Sequence, residues 1–250
     1  MSTIDELKAR KSVRVFEERT ISEEIKEQLY TAAFEAPTAG NQMLYSIIEI
    51  TDPQLLAQLA ETCDHQQWIT KAQLAVVFVA DHRRWLDLYA AAGCAARRPG
   101  VGDMWLALSD ANIAAQNMVC AAWSFGIGSC YIGDIIEQHE TVKQLLQLPD
   151  EVMPACMLVF GYPTAQQRER RKPARFHRDY IVHQNAYQTM SPEEHRFFYE
   201  ERAQRNGAPI NDFEAQVKAF WKRKYESEFS REMNRSASAY LKPLREGEEE

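Results

Sequence analysis

Apolar residues follow two patterns along this chain, and these patterns predict the elements of its fold. Apolar positions three and four residues apart indicate amphipathic helices, whereas short continuous apolar runs indicate strands buried on both faces. Helices are predicted at residues 4–12, 22–36, 54–62, 103–125, 140–147 and 191–205. Strands are predicted at 45–50, 74–80 and 155–160, with a short extended run before a small-residue turn at 128–134.

The apolar stripe near the end of the chain runs from Phe213 to Ala237 at a strict spacing of four residues. Because an α-helix has 3.6 residues per turn, each step overshoots a full turn by about 40°, and the stripe winds around the helix. One flat surface cannot cover such a stripe. The pattern therefore predicts one long helix that contacts more than one body, such as a partner subunit. The alternative is two shorter helices on one core.

The mixture of strands and long helices predicts an α+β fold. A chain of 250 residues can bury a large core, and its pattern contains neither an internal repeat nor a separate linker. We expect one main domain over residues 1–190. A helical extension over residues 191–250 is expected to pack on the core and on a partner subunit.

Net charge and the placement of basic residues narrow the class of ligand. The chain is acidic, with a net charge of −7, so a general nucleic-acid footprint is not expected. Its basic residues are nevertheless bunched at 10–14 and at 168–178. An acidic protein with two local cationic clusters is better suited to a small anion than to a polyanion.

The segment 10–14, Arg-Lys-Ser-Val-Arg, is the first candidate site. If it is helical, Arg10 and Arg14 are four residues apart and share a face, and Ser12 adds a hydroxyl donor. Guanidinium, ammonium and hydroxyl donors suit the oxygens of a phosphate. The alternative is a solvated helix face, since most short basic clusters are of that kind.

The loop 37–42, Pro-Thr-Ala-Gly-Asn-Gln, is the second candidate site. Pro37 disfavours helical geometry in the residue before it, so the preceding helix is expected to end near Ala36. The loop is either a plain turn from helix to strand or a place where amide and backbone groups meet the polar edge of a ligand.

The cysteines and the apolar runs indicate the expected compartment. There are five cysteines, an odd number, and none forms a C-x-x-C pair, so we expect reduced thiols and no metal site. The N-terminus lacks the apolar segment of a signal peptide, and no run of about 18 apolar residues exists. A cytoplasmic, soluble protein without a membrane partner is the expectation.

Four stretches together resemble the FMN-dependent nitroreductase family, and most of all its larger branch, the oxygen-insensitive NAD(P)H nitroreductases and flavin reductases. They are residues 10–14, 36–42 (Ala-Pro-Thr-Ala-Gly-Asn-Gln), 129–133 (Ser-Cys-Tyr-Ile-Gly) and 172–175 (Lys-Pro-Ala-Arg). The helix 110–117 is also typical, and the likeness runs from about residue 6 to 187. The resemblance implies a nitroreductase-like fold, in which helices flank a central, mostly antiparallel sheet and a helical extension follows.

The resemblance also implies a homodimer that holds FMN at the subunit interface. Its expected cofactor-binding residues each contact the phosphate, the ribityl chain or the ring of the flavin. They are Arg10, Lys11, Ser12 and Arg14 on the phosphate and ribityl side, Lys172 and Arg175 as further phosphate ligands, Thr38, Asn41 and Gln66 as polar contacts, and Tyr131, Ile132 and Gly133 as the backbone wall beside the ring.

Two departures from the family pattern leave parts of this assignment open. Asp134 stands where many members of the larger branch have glycine, which leaves the environment of the ring undecided. Arg175 follows Lys172 by three residues rather than two, so Arg171 remains an alternative phosphate ligand.

The implied activity is reduction of nitroaromatics, quinones or free flavins by a ping-pong hydride mechanism with NADPH or NADH. The flavin carries the redox chemistry, so we assign no catalytic acid or base. Arg14 is the candidate for stabilising the reduced ring at its N1–O2 edge. Two other functions remain open: an enzyme of the same fold with different chemistry, such as a dehalogenase or a flavin-fragmenting enzyme, and a non-catalytic or redox-responsive FMN binder.

Overall fold

Four strands form one antiparallel sheet in the order β1-β2-β4-β3. The structure, a computed structural model, describes residues 2–246. The strands are β1 Tyr45–Glu49, β2 Leu74–Asp81, β3 Gly128–Ile132 and β4 Val152–Gly161. Every residue of the two central strands is buried, as their continuous apolar runs predict. The predicted α+β fold with an antiparallel sheet is confirmed.

Ten α-helices surround and follow this sheet within the described residues. Their bounds are α1 Thr3–Ala9, α2 Glu23–Phe34, α3 Pro53–Thr62, α4 Arg83–Ala91, α5 Val101–Ser124, α6 His139–Leu145, α7 Ala165–Glu169, α8 Pro192–Arg205, α9 Phe213–Lys224 and α10 Glu228–Glu246. Short 3₁₀ turns lie at Ala39–Asn41, Gln67–Lys71, Gly133–Ile136 and Arg178–Tyr180. The sequence pattern predicted neither α4 nor α7.

The core has one layer on each face of the sheet. Along β2, Val76 and Phe78 face α2 and α5, whereas Val77 and Val79 join the cluster that includes α3 and α6. This alternation is the two-residue period of a strand. The face of α5 turned to the sheet is rich in buried alanines, which lets the helix lie close to the strands. The long helix therefore fixes the positions of the loops at its two ends.

The segment 10–14 is extended, so the predicted helix 4–12 is wrong over residues 10–12, and the condition under which Arg10 and Arg14 would share a helical face is not met. Helix α1 ends at Ala9, and the backbone of Arg10 leaves the helical region, with φ −55° and ψ 134°. Ser12 forms a parallel bridge with Ser129, and the Val13 N–H donates to the Ser129 carbonyl at 2.9 Å. Val13 is fully buried against Gly128. The segment therefore runs along the free edge of β3, and a helical turn could not pair with a strand edge in this way.

The apolar stripe lies on two helices, so the prediction of one long helix is wrong. The alternative of two shorter helices on one core is correct in the number of helices only, because α9 lies within Arg171–Arg231 and most of α10 belongs to the other of the two compact units described next. Helix α9 ends at Lys224, and α10 begins at Glu228. The Ser227 hydroxyl accepts from the Ser230 N–H at 3.3 Å, which caps the new helix. Because α10 is a new helix, its apolar residues need not continue the angular drift of those on α9. The stripe therefore need not wind around one helix axis.

The chain separates into two compact units. One comprises the residues up to Arg170 together with those from Glu232 on, and the other is Arg171–Arg231. The predicted division at residue 190 coincides with neither boundary. Inside the second unit, arginines lie on aromatic rings, with the Arg202 guanidinium 4.2 Å from the centroid of Phe176. Within the described part of the chain, no helix is both long enough and apolar enough to cross a membrane.

The contact of Val13 with Gly128 leaves no space for a side chain at residue 128. A Cβ placed there would lie 2.5 Å from Val13 Cγ2. We expect Gly128→Ala to lower the free energy of unfolding by about 1–3 kcal/mol, because an overpacked core must shift. Urea unfolding followed by circular dichroism measures the change.

Two variants control this prediction. Gly102 in α5 has open space around its Cα, so Gly102→Ala should be neutral or stabilising by at most about 1 kcal/mol. Val13→Ala removes both Cγ atoms but keeps Cβ, which lies 2.7 Å from the added Cβ, so Gly128→Ala should cost less in the Val13→Ala background than in the wild type. If Gly128→Ala costs as much with Val13→Ala as without it, the close contact is not the cause.

Candidate functional site

Two arginines and a serine line the edge of the sheet beside β3. In an extended chain every second side chain shares a face, so Arg10, Ser12 and Arg14 lie on one side of the segment. The Arg14 guanidinium lies over the ring of Trp68, 5.8 Å from its centroid. Among the described residues, neither arginine has an ion-pair partner, although the chain is acidic. Two uncompensated guanidiniums on one face suit an anionic ligand.

Cys130 on β3 lies beneath this face and was not a predicted site residue. Burial raises the pKa of the Cys130 thiol, and the Arg14 guanidinium and the Ser12 hydroxyl act in the opposite direction. Cys130 as a residue is 2% exposed, so its side chain packs under the cationic face rather than contacting a ligand. A cysteine in a predicted strand gives no sequence signal for this position.

Lys11 points to a different set of partners from its two arginine neighbours. Its Nζ donates to the carbonyls of Arg168 at 2.5 Å and Arg170 at 2.6 Å, where α7 ends. In return, the Arg170 guanidinium donates to the Ser12 carbonyl at 2.7 Å. Lys11 thus holds the segment against the end of α7, while its predicted contact with phosphate stays a prediction.

The end of β3 adds the second part of this surface. Ile132 is buried and Gly133 is exposed at the start of a 3₁₀ turn, while the Tyr131 hydroxyl donates to Gln116 Oε1 at 3.3 Å. Gln66 Nε2 donates to Asp134 Oδ2 at 3.1 Å. The structure therefore brings Arg10, Ser12, Arg14, Gln66 and residues 131–133 to one end of one edge of the sheet.

The loop 37–42 is held by a buried carboxylate of α5, Asp110. The Thr38 hydroxyl donates to this carboxylate, and the backbone N–H groups of Ala39 and Leu44 donate to it at 3.0 and 3.3 Å. Asp110 is 4% exposed, and sequence reasoning gave it no role. The one sequence feature that could have indicated a role for Asp110 is that it is a lone acidic residue on the buried face of an alanine-rich helix.

Thr38 and Asn41 lie at the opposite edge of the sheet from the arginines. Their loop leads into β1, whereas the segment 10–14 borders β3, and β2 and β4 lie between. Three strand spacings amount to roughly 14 Å. Asn41 is exposed with φ 57°, and Gly40 also has φ 57°. One protomer therefore does not bring these two residues together with Arg14.

Lys172 and Arg175 belong to the second unit, together with their alternative, Arg171. The Arg171 guanidinium donates to the Arg205 carbonyl at 2.8 Å, and the Ala174 N–H donates to Asn206 Oδ1 at 2.7 Å. These bonds anchor the segment inside its own unit. The assignment of Lys172 and Arg175 to a phosphate stays a prediction.

A buried carboxylate, Glu137, lies just beyond Asp134. It is 5% exposed, and its Oε1 has no hydrogen-bond partner within the described chain. Burial, followed by the negative charges of Asp134, Asp64 and Glu232, raises the pKa of Glu137 to about 7. No group of metal-ligating side chains able to hold an ion occurs among residues 2–246. Glu137 is therefore a titrating group next to the candidate surface.

Comparison with known proteins identifies the family and the fold of the chain. The family model described as the nitroreductase family matches residues 7–162. The chain is 32% identical over 188 residues to an FMN reductase (NADPH) of Bacillus subtilis, covering 74% of each chain. It is 31% identical over 190 residues to an oxygen-insensitive NADPH nitroreductase of Salmonella typhimurium, covering 75% of each. The solved structure of NfrA1 nitroreductase from B. subtilis superposes with a TM-score of 0.76 at 27% identity, covering 94% of this chain and 98% of that one.

The buried Glu137 predicts a pH-dependent change in stability. A carboxyl whose pKa is raised from 4.5 to about 7 on folding keeps its proton while the unfolded chain has lost it. Stability is therefore lost as pH rises from about 4.5 to 7, by at most about 3 kcal/mol. We expect Glu137→Gln to stabilise the protein by up to that amount at pH 8 and to have little effect below pH 4.5.

Urea unfolding of both proteins at pH 4.5 and pH 8 measures this difference. An exposed glutamate of α2 provides the control, since Glu24→Gln should shift stability equally at the two pH values. An effect of Glu137→Gln that is the same at both pH values would show that the carboxyl does not titrate in this interval.

Proposed function

Because the chain belongs to the nitroreductase family, we propose that it is an FMN-dependent NAD(P)H oxidoreductase. Its acceptors are nitroaromatics, quinones or free flavins, reduced in a ping-pong cycle. When bound, FMN would supply the hydride and electron transfer, and the protein's residues would hold and orient it. The names of the relatives, which specify NADPH, support NADPH as the donor.

The pair of uncompensated guanidiniums beside β3 is the observation that carries this proposal. Arg10 and Arg14 with the Ser12 hydroxyl would hold the phosphate and the ribityl side, with Lys172 and Arg175 as further phosphate ligands. The backbone of residues 131–133 would wall the ring, and Gln66, oriented by Asp134, would donate to its polar edge. Arg14 would also stabilise negative charge on the reduced ring, because a nearby cation favours the anion.

A homodimer is part of the proposal because the site is divided between two edges of the sheet. Thr38 and Asn41 lie beside β1, across the sheet from the arginines of the same protomer. A second copy would supply these residues from its own loop and complete the contacts to the ring. The rigid support of that loop by Asp110 suits a contact made across an interface.

Exposed apolar residues on α5 support the same assembly. Leu106 and Ile113 are seven residues apart, so they share a face, and they are 52% and 40% exposed. Trp105 beside them is 71% exposed. Large apolar side chains exposed together are typical of a surface that a partner covers.

A cytoplasmic location completes the proposal. Within the described residues all five cysteines are free thiols, and Cys63, Cys130 and Cys156 are buried. Reduced thiols are typical of proteins from reducing compartments, and pools of NADPH lie there too.

The first prediction from this proposal concerns the cofactor. The purified protein should be yellow and should release FMN, not FAD, on denaturation, with NADPH bleaching the flavin in stopped flow and a quinone restoring it. Arg14→Ala should weaken FMN binding by about 10- to 150-fold, since one charge-assisted hydrogen bond contributes roughly 1.5–3 kcal/mol. Fluorescence titration of the flavin-free protein measures the dissociation constant.

Matched variants separate the two cationic clusters. Arg19→Ala removes another exposed arginine, whose guanidinium lies on the Tyr162 ring, and it should leave FMN affinity within about twofold. Lys172→Ala combined with Arg175→Ala should weaken binding by about 30- to 1,000-fold. If this double variant binds within threefold of the wild type, the phosphate site consists of residues 10–14 alone. FAD in place of FMN, or full affinity in Arg14→Ala, would overturn the assignment.

The second prediction concerns assembly. Light scattering at micromolar concentration should give twice the chain mass of 28.8 kDa, with an obligate-type interface above about 2,000 Å². Ile113→Glu should raise the dimer dissociation constant at least about 100-fold, because it buries an unpaired charge. Ile181→Glu changes an exposed isoleucine of the second unit and should leave the dimer intact. A monomeric mass with FMN bound would contradict the proposal.

A further inference from the structure

An acidic residue, Asp134, lies in the turn after β3, next to the backbone proposed to wall the flavin ring. It follows Gly133 in the 3₁₀ turn Gly133–Ile136 and is half-buried. Its carboxylate accepts from Gln66 Nε2 at 3.1 Å, and Gln66 is itself a proposed contact to the ring. Asp134 therefore brings a negative charge to the side of the site that faces the ring rather than the phosphate.

A second carboxyl, Glu137, lies behind Asp134 and away from the solvent. The Glu137 N–H donates to the Asp134 carbonyl at 3.0 Å, which ties the two residues together through the backbone of the turn. Glu137 is 5% exposed, and its Oε1 has no hydrogen-bond partner within the described chain. A buried carboxyl in this position favours its neutral form, because burial removes the water that stabilises its charge.

The charges that act on Glu137 from the neighbouring elements are all negative. They come from the turn itself, from the end of α3 and from α10, and belong to Asp134, Asp64 and Glu232. Together with burial, which is the largest cause, they raise the pKa of Glu137 to about 7. The carboxyl is therefore largely protonated at pH 5.5 and largely ionised at pH 8.5.

The other titratable groups around this carboxyl do not compensate its charge. Burial, followed by the charge of Asp134, raises the pKa of the Cys63 thiol to about 12, so the thiol stays neutral. The Arg235 guanidinium of α10 is engaged with two other carboxylates, at 2.7 Å from Glu232 and 2.8 Å from Glu140. On α6, the His139 ring lies edge-on to an aromatic ring of α10, with centroids 4.4 Å apart.

We propose that Glu137 links the protonation of this turn to the reduction potential of bound FMN. Asp134 supplies a constant negative charge beside the ring, and Glu137 adds a second one only when it is ionised. A negative charge disfavours the reduced ring, which is the more negative form, just as a cation favours it. The inference rests on the proposed function, since it requires FMN against residues 131–133.

The linkage acts in both directions. If ionised Glu137 disfavours the reduced ring, reduction favours protonated Glu137 by the same factor. Reduction near neutral pH is then accompanied by proton uptake at Glu137, in addition to the protons that the flavin itself takes up. The bound flavin becomes a stronger reductant as pH rises through 7, by more than the flavin's own titration accounts for.

Equilibrium titration of the FMN-loaded protein against a redox dye tests the proposal at pH 5.5 and pH 8.5. At a fixed dye potential and pH 8.5, Glu137→Gln should raise the ratio of reduced to oxidised flavin at least about fivefold over the wild type, which is about 20 mV for a two-electron couple. At pH 5.5 the two proteins should agree within about twofold, because Glu137 is then neutral in both. Glu24→Gln, an exposed change on α2, should stay within about twofold of the wild type at both pH values.

Asp134→Asn provides an independent variant that removes the constant charge and keeps an oxygen for Gln66. It should raise the ratio of reduced to oxidised flavin at both pH values, and it should move the pH-dependent part to lower pH, because Asp134 helps to raise the pKa of Glu137. A merely structural role of Glu137 would not give an effect confined to high pH.

The possible failures are distinguishable. A purified protein that neither contains nor binds FMN overturns the proposed function and this inference with it. If FMN is bound but Glu137→Gln has no effect on the flavin ratio, or the same effect at pH 5.5 and pH 8.5, the inference alone is overturned. If Glu137→Gln does not bind FMN, the Asp134→Asn protein decides, and an unshifted pH dependence in it overturns the inference.

Discussion

The close packing of Val13 on Gly128 is the constraint on which the candidate site depends. It leaves no room for a Cβ at residue 128, and it holds the chain after α1 against β3 in an extended form. Extension sets the side-chain period to two, so Val13 enters the core while Arg10, Ser12 and Arg14 share the other side. A helix through the same residues would have placed the arginines on a face of its own, away from residues 131–133.

A second constraint acts at the other edge of the sheet. The buried carboxylate of Asp110 accepts hydrogen bonds from the Thr38 hydroxyl and from two backbone N–H groups. These bonds replace the hydrogen bonds that an exposed carboxylate makes with water. The loop 37–42 is thereby bonded to α5, the longest of the described helices, rather than exposed to solvent on all sides. The sheet acts as a rigid spacer between two fixed groups of polar residues.

Sequence reasoning succeeded where burial alone decides structure. The run 74–80 is apolar without alternation, because β2 is covered on both faces, and such a run has few other structures open to it. Strand β4 begins at Val152, three residues before the predicted start, since a bulge opposite Phe78 and Val79 accommodates Pro154 in the ladder. The predicted helix 4–12 extends too far, over residues 10–12, because the structure of this segment is set by a tertiary contact with residue 128, more than 100 positions away. Asp110 was missed for the same reason, because its partners lie 66 to 72 positions away in the chain. The resemblance named the candidate residues, but only the fold revealed that they occupy two edges.

In the proposed dimer, this division of the candidate residues would link cofactor binding to assembly. A site whose two halves are held by separate rigid supports cannot be closed by a loop movement inside one protomer, because β2 and β4 lie between them. It can be closed by a two-fold axis, which brings the β1 edge of one copy to the β3 edge of the other and repeats the contact. Such a closure makes two identical sites at once, and each copy contributes its arginines to one and its loop to the other. Ligand binding would then add its free energy to the interface of the proposed dimer, so mass action would favour the assembled form whenever the ligand is present.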